Sequence, residues 1–141
     1  MWFKQYQLEE INRLFSMNMT GFLDIKAVEI TADALVVEMP INEKVKQPYG
    51  LLHGGASVVL AESAGSIASH MVIDPDVWAG VGLEVNANHI RPVTKGVVRG
   101  TCRALHIGKT THVWDIQIHN ERHQLICVSR LTTAIVKKPQ P

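Results

Sequence analysis
The chain has 141 residues, 46% of them hydrophobic and 19% charged, the size and composition of one globular domain over residues 1–141 that folds without a disulfide or metal staple. No window approaches the roughly 18 apolar residues of a membrane span, and MWFKQYQLEEINRLF lacks the apolar run and small-residue cleavage site of an export signal, so the expected location is the cytoplasm. Net charge is +1, with five Lys/Arg against eleven Asp/Glu in residues 1–90 and nine against two in residues 91–141; near-neutrality and few aromatics argue against nucleic acid, while the basic last third suits phosphates or carboxylates as well as it suits a plain solvated face.

LEEINRLF, from Leu8 to Phe15, sets Leu8, Ile11, Leu14 and Phe15 on one helical stripe and reads as a short amphipathic helix. FLDIKAVEI and ALVVEM, separated by TAD around Asp33, read as a β-hairpin. Pro48 and Gly50 interrupt regular structure, and small and aliphatic residues from Gly55 to about Ile73 predict the one long helix, ended by DPD at Asp74–Asp76. Four β-rich runs follow, at 81–90, 97–107, 111–119 and 125–136, punctuated by Gly96, Gly108 and Asn120, before a frayed KKPQP tail. Two strands, a helix and four sequential strands predict an α+β fold, an antiparallel sheet with one helix packed across it.

Cys102 and Cys127 stand in separate strand segments without CxxC spacing and read as buried thiols. His119 and His123 make an HxxxH pair, but they flank a polar turn and no cysteine joins them, so no metal is expected.

The chemistry concentrates in QPYGLLHGGASVVLAESAGS, which runs from Gln47 to Ser66. At 100° per residue Gly55, Val58, Glu62, Gly65, Ser66 and Ser69 fall near one line of the helix and predict a groove floor of small residues, with Leu60, Ile67 and Met71 packed on the sheet. Most Glu residues are solvated or paired, but no Lys or Arg occurs between Lys46 and Arg91, so the Glu62 carboxyl is expected to have a raised pKa and to serve as base or nucleophile. HGG at His53–Gly55 is a plain turn or, at a helix start, a place where backbone N–H groups and the helix dipole stabilise an oxyanion. No GxSxG or Cys/His constellation is present, so Ser66 reads as a hydroxyl lining the site.

QPYGLLHGGASVVLAESAGS, ANHIRPVTKGVVRG and LHIGKTTHVWDI together resemble the hotdog-fold acyl-CoA thioesterases over nearly the entire chain, in particular the bacterial branch containing 4-hydroxybenzoyl-CoA thioesterase and 1,4-dihydroxy-2-naphthoyl-CoA hydrolase. The resemblance implies a hotdog fold, a curved antiparallel sheet wrapped around one long helix, in homodimers that pair into homotetramers, with active sites at the dimer interface. It implies Glu62 as nucleophile or general base, the Gly54 N–H as oxyanion donor, Gln47 and His53 as orienting groups, and Ser66 beside the acyl group. Tyr49, Gly55 and Ser69 would line the acyl site; His89, Arg91, Gly108 and Lys109 would hold coenzyme A. Lys109 stands where related sequences have Arg, which weakens bidentate phosphate binding but keeps the charge; Tyr49 stands where Phe is usual, which bears on the acyl group rather than on the reaction.

The expected activity is thus hydrolysis of an acyl-CoA thioester, aromatic acyl groups favoured over medium-chain ones, without metal or redox cofactor. The competing expectations are a hotdog dehydratase using Glu62 with His53 on hydroxyacyl thioesters, and a non-catalytic acyl-CoA sensor that keeps Arg91 and Lys109 but has little use for Glu62.

Overall fold
A computed structural model describes residues 1–139. The elements in order are α1 (Leu8–Phe15), α2 (Asn18–Phe22), β1 (Lys26–Ile30), β2 (Ala34–Pro40), a 3₁₀ turn (Glu43–Val45), α3 (Gly54–Val72), β3 (Trp78–His89), β4 (Val97–Ile107), β5 (Thr111–His119) and β6 (Leu125–Lys137). All six strands form one antiparallel sheet in the order β1-β2-β4-β5-β6-β3, and it wraps around α3, which touches β2 through β6. Leu60, Ala61, Ala64, Ala68 and Met71 on α3 are fully buried against Trp114, Ile116, Ile118 and Leu131 of the sheet, so the hydrophobic effect fixes which side of the helix faces inward.

The two sheet edges differ. Asn12 on α1 donates from its amide to the Ala27 carbonyl at 2.9 Å and accepts the Ala27 N–H at 2.7 Å, so the β1 edge is capped by a helix side chain. β3 is the opposite edge; it is 12 residues long, and Val81 and Leu83 on it are 50% and 64% exposed. A long, apolar, uncovered edge strand invites pairing with another chain.

Three boundaries depart from expectation. The first strand begins at Lys26 rather than at Phe22, because the helix α2 takes up Asn18–Phe22 and both Asn18 and Asp24 adopt a left-handed φ, breaking the extended run. β3 starts at Trp78, three residues early, since its pairing with β6 continues to Lys137. The tail is tied down further than the frayed end expected, the Lys138 N–H donating to the Val77 carbonyl at 2.9 Å; Gln140 and Pro141 lie outside the described residues.

The supposed groove floor also divides. Gly65 and Ser69 are buried against the sheet rather than aligned with Glu62 on an open face. A Cβ at Gly65 would stand 2.5 Å from Leu131 Cδ2 and 3.4 Å from its Cβ and Cγ, so the glycine lets helix and strand approach. Gly65→Ala gains at most about 1 kcal/mol of helix propensity but overpacks a closed core at a cost of about 1–3 kcal/mol. The expected result is a net loss, read as a melting temperature lower by a few degrees, about 3 °C per kcal/mol at this chain length.

Candidate active site
The chain between β2 and α3 forms a compact turn: the Gln47 N–H donates to the Leu51 carbonyl, Gly50 N–H to the Gln47 carbonyl, both at 2.9 Å, and Gly50 takes φ +80°, a conformation glycine adopts without strain. The Gln47 side chain is held by the Tyr49 N–H, which donates to its Oε1, while the Tyr49 ring is 89% exposed. His53 then caps α3, its Nδ1 accepting the Gly55 N–H at 2.8 Å. An accepting Nδ1 carries no proton, so in the neutral ring the N–H is at Nε2. Gly54 is the first residue of α3, and its N–H has no hydrogen-bond partner among the described residues. An orphan donor at the positive end of a 19-residue helix is suited to an oxygen that gains negative charge.

At Gly54 the end of β3 comes close: a Cβ there would lie 2.7 Å from His89 Nε2. Gln47, Gly54, His89 and Arg91 line one cleft of about 270 Å³, with Ser57 and the apolar Leu51, Leu52, Ile90, Val93 and Ile126. Ser57 and the apolar wall were missing from the residues chosen on sequence. Ser57 could have been found by its helical offset of three from Gly54; the wall joins three separate segments and left no local signal.

Glu62 does not reach this cleft. It lies eight residues along α3, about 12 Å at 1.5 Å per residue, and its carboxylate rests against β3 where a Cβ at Gly82 would collide with Oε1. Burial, with no neighbouring charge contributing, holds its pKa above the ordinary carboxylate value. Ser66, one turn on, is half-buried beside it. Gly55 is exposed at the helix start.

Gly108 and Lys109 lie elsewhere again, in a second cleft of about 410 Å³ at the C-terminal end of α3 with Val72, Trp78 and His112. Within one chain, then, His89 and Arg91 stand at one end of the helix and Gly108 and Lys109 at the other. Ser69 is not a lining residue: it is fully buried, and its hydroxyl is taken up by Trp114, Thr133 and His112. Among the described residues the Arg91 guanidinium bonds only the Leu125 carbonyl, at 3.3 Å, and neither it nor Lys109 joins an ion pair. No helix among those residues is long and apolar enough to cross a membrane.

The six-stranded antiparallel sheet wrapped around one long helix is a hotdog fold, and the thioesterase superfamily model matches residues 49–127: the chain belongs to that family of thioester hydrolases. It is 50% identical over 135 residues to the 1,4-dihydroxy-2-naphthoyl-CoA hydrolase of Escherichia coli strain K12, covering 96% of this chain and 98% of the relative. A crystallised mutant thioesterase from Pseudomonas aeruginosa superposes with a TM-score of 0.95 at 42% identity, covering 97% of this chain and 99% of that one. A protein from Staphylococcus aureus, crystallised with a Glu-to-Ala substitution, gives a TM-score of 0.83 at 43% identity over 86% of this chain and 100% of that one; a second structure of the same protein, described as a thioesterase enzyme, carries a Gln-to-Ala substitution.

Proposed function
We propose that this chain, acting as one domain in the cytoplasm, hydrolyses an aromatic acyl-CoA of the 1,4-dihydroxy-2-naphthoyl type to the free acid and coenzyme A, in sites shared between two subunits. The observation that carries the reading is the separation of Glu62 from the Gln47–Gly54 cleft on the same helix, together with an open β3 edge beside both. An antiparallel two-fold pairing of β3 centred near Val85 sets Gly82, and with it Glu62, opposite the partner subunit's His89 and the partner subunit's Gly54. The same rotation turns the β4–β5 turn, which carries Gly108 and Lys109 beside the C-terminal end of α3, towards the partner's loop after β3, so that one polyanion can bridge Lys109 and the partner's Arg91. Pairing of such dimers would give the tetramer.

In this composite site the thioester carbonyl oxygen accepts the Gly54 N–H, and the helix dipole favours the charge it gains. Gln47, pinned by the Tyr49 N–H, and His53, locked by the Gly55 N–H, orient the thioester. Glu62 of the other subunit either attacks the carbonyl carbon, giving an anhydride that water then cleaves, or takes a proton from the attacking water; in both cases coenzyme A leaves as the thiol. Ser66, one turn further on α3, and Tyr49 from the loop border the acyl group. The E. coli relative's name supports the naphthoyl group. The S. aureus structures support the residues, since the Gln and Glu substituted in that protein stand fifteen positions apart, as Gln47 and Glu62 do here.

Release of free thiol from a panel of coenzyme A esters tests the reading. The expected order of kcat/KM is 1,4-dihydroxy-2-naphthoyl, then benzoyl, then medium-chain acyl; a medium-chain ester at the top removes the aromatic assignment. A hydroxyacyl ester that loses water without releasing thiol would make the protein a dehydratase, and no thiol from any ester would leave only a binding module. Arg91→Ala should raise KM for the coenzyme A ester about tenfold while sparing a short thioester without the nucleotide, and added salt should imitate it.

A further inference from the structure
Four hydrogen-bonding side chains cluster in a largely apolar core: Ser69, Trp114 and Thr133 are fully buried and His112 is 2% exposed. Ser69 Oγ is their hub, 2.7 Å from Trp114 Nε1, 2.8 Å from Thr133 Oγ1 and 3.1 Å from His112 Nδ1. Trp114 Nε1 can only donate, so Ser69 accepts there and gives its single proton to Thr133 or to the ring. With three partners in a closed core, Ser69 is no nucleophile. Of the four, His112 alone reaches a surface, in the wall of the cleft that Gly108 and Lys109 also line. Its ring stands edge-on to Trp114, centroids 6.1 Å apart and planes at 82°, and it lines that cleft beside the Gly108–Thr110 turn. The Gly108–Thr110 turn is tied by two backbone bonds, from Gly108 N–H to the Thr111 carbonyl and from Ile135 N–H to the Thr110 carbonyl, each 2.9 Å.

We propose that the Ser69–Thr133–Trp114–His112 network is a positioning device: it fixes the His112 ring under the Gly108–Thr110 turn and so sets Lys109 where it meets the phosphates of coenzyme A. The inference rests on the reading of Lys109 as a phosphate contact. A fully satisfied buried network admits one arrangement of its members, whereas apolar side chains of the same volume would let the turn shift. α3 contributes Ser69, β5 His112 and Trp114, and β6 Thr133, so the turn is referenced to the helix whose other end carries Gly54.

The test compares a coenzyme A ester with the N-acetylcysteamine thioester of the same acid. Ser69→Ala and the nearly isosteric Thr133→Val should each raise KM for the coenzyme A ester about fivefold, leave kcat unchanged and spare the short thioester. Thr133→Ser, which keeps the hydroxyl, should restore the wild-type KM. Because the network acts through Lys109, Ser69→Ala added to Lys109→Ala should raise KM no further. Equal effects on both substrates, or additive effects in the double variant, make the network a purely structural element and overturn the inference. If Lys109→Ala alone fails to discriminate between the substrates, the phosphate reading falls and the inference with it; if Lys109→Ala discriminates but Ser69→Ala and Thr133→Val do not, the inference falls alone. Melting temperatures identify any variant whose fold is lost, and Thr133→Val, the smallest change of shape, then carries the comparison.

Discussion
Replacing Glu62 by Gln should lower kcat by about 10²-fold or more with little change in KM, while the melting temperature at neutral pH stays the same or rises slightly. The two halves of that expectation have one cause. Gln keeps the shape and hydrogen-bonding capacity of Glu but cannot attack or accept a proton. Burial raises the Glu62 pKa, and for an acid a raised folded-state pKa means that the ionised form opposes folding. The unfolded chain then loses its proton near the ordinary value of 4.5, before the folded chain does, so stability declines as pH rises from there through the folded pKa, and the penalty is full above it. Gln carries no charge and no penalty. In the wild type the acid limb of kcat/KM should likewise follow the raised pKa, activity disappearing as pH falls through it and the carboxylate is protonated. Near-normal turnover by Glu62→Gln would remove this group from the mechanism, and a clear drop in melting temperature would mean that it has a structural partner.

Subunit exchange should restore activity from two dead proteins. Glu62→Ala and Gln47→Ala are each expected to be nearly inactive. If Glu62 of one protomer serves the Gln47–Gly54 cleft of the other, a mixed dimer holds one site with both defects and one with neither. Random exchange makes half the dimers mixed, so about a quarter of wild-type activity should return, by the symmetry of an isologous pair. The roughly 12 Å of helix between the two groups, and an edge strand left open on the side where both lie, motivate the experiment. Heterodimers verified by mass that stay as inactive as their parents would put both groups in one chain and end the interface reading. A Gly54→Ala protein is a poorer probe, because its Cβ would press on His89 and disturb the cleft itself.

Much of the fold was legible in the chain because its signals are local. The stripe of Leu8, Ile11, Leu14 and Phe15 marks α1, glycine and Asp-Pro-Asp punctuation brackets α3, and the alternating runs after it locate β3 to β6 within a few residues. The shortage of cations between Lys46 and Arg91 likewise suffices to foresee a Glu62 carboxyl whose pKa burial raises, since no residue nearby in sequence could offset desolvation. What the sequence could not supply is rotational phase and long-range pairing. A helical wheel put Gly65 and Ser69 with Glu62, but the true inward direction of α3 is set by the sheet, and Leu131 on β6 and the Trp114 indole claim those two positions. Register decided the rest. Pairing β3 with β6 makes β3 an edge, bends it so that Gly82 meets Glu62 and His89 meets Gly54, and leaves His89 and Arg91 a helix length away from Gly108 and Lys109. Separations of that kind depend on contacts between residues dozens of positions apart, which no local pattern encodes. The sequence by itself determined the elements and the chemical groups; the tertiary structure decided which groups share a cleft, because that follows from sheet order and from the face of α3 that the core could bury.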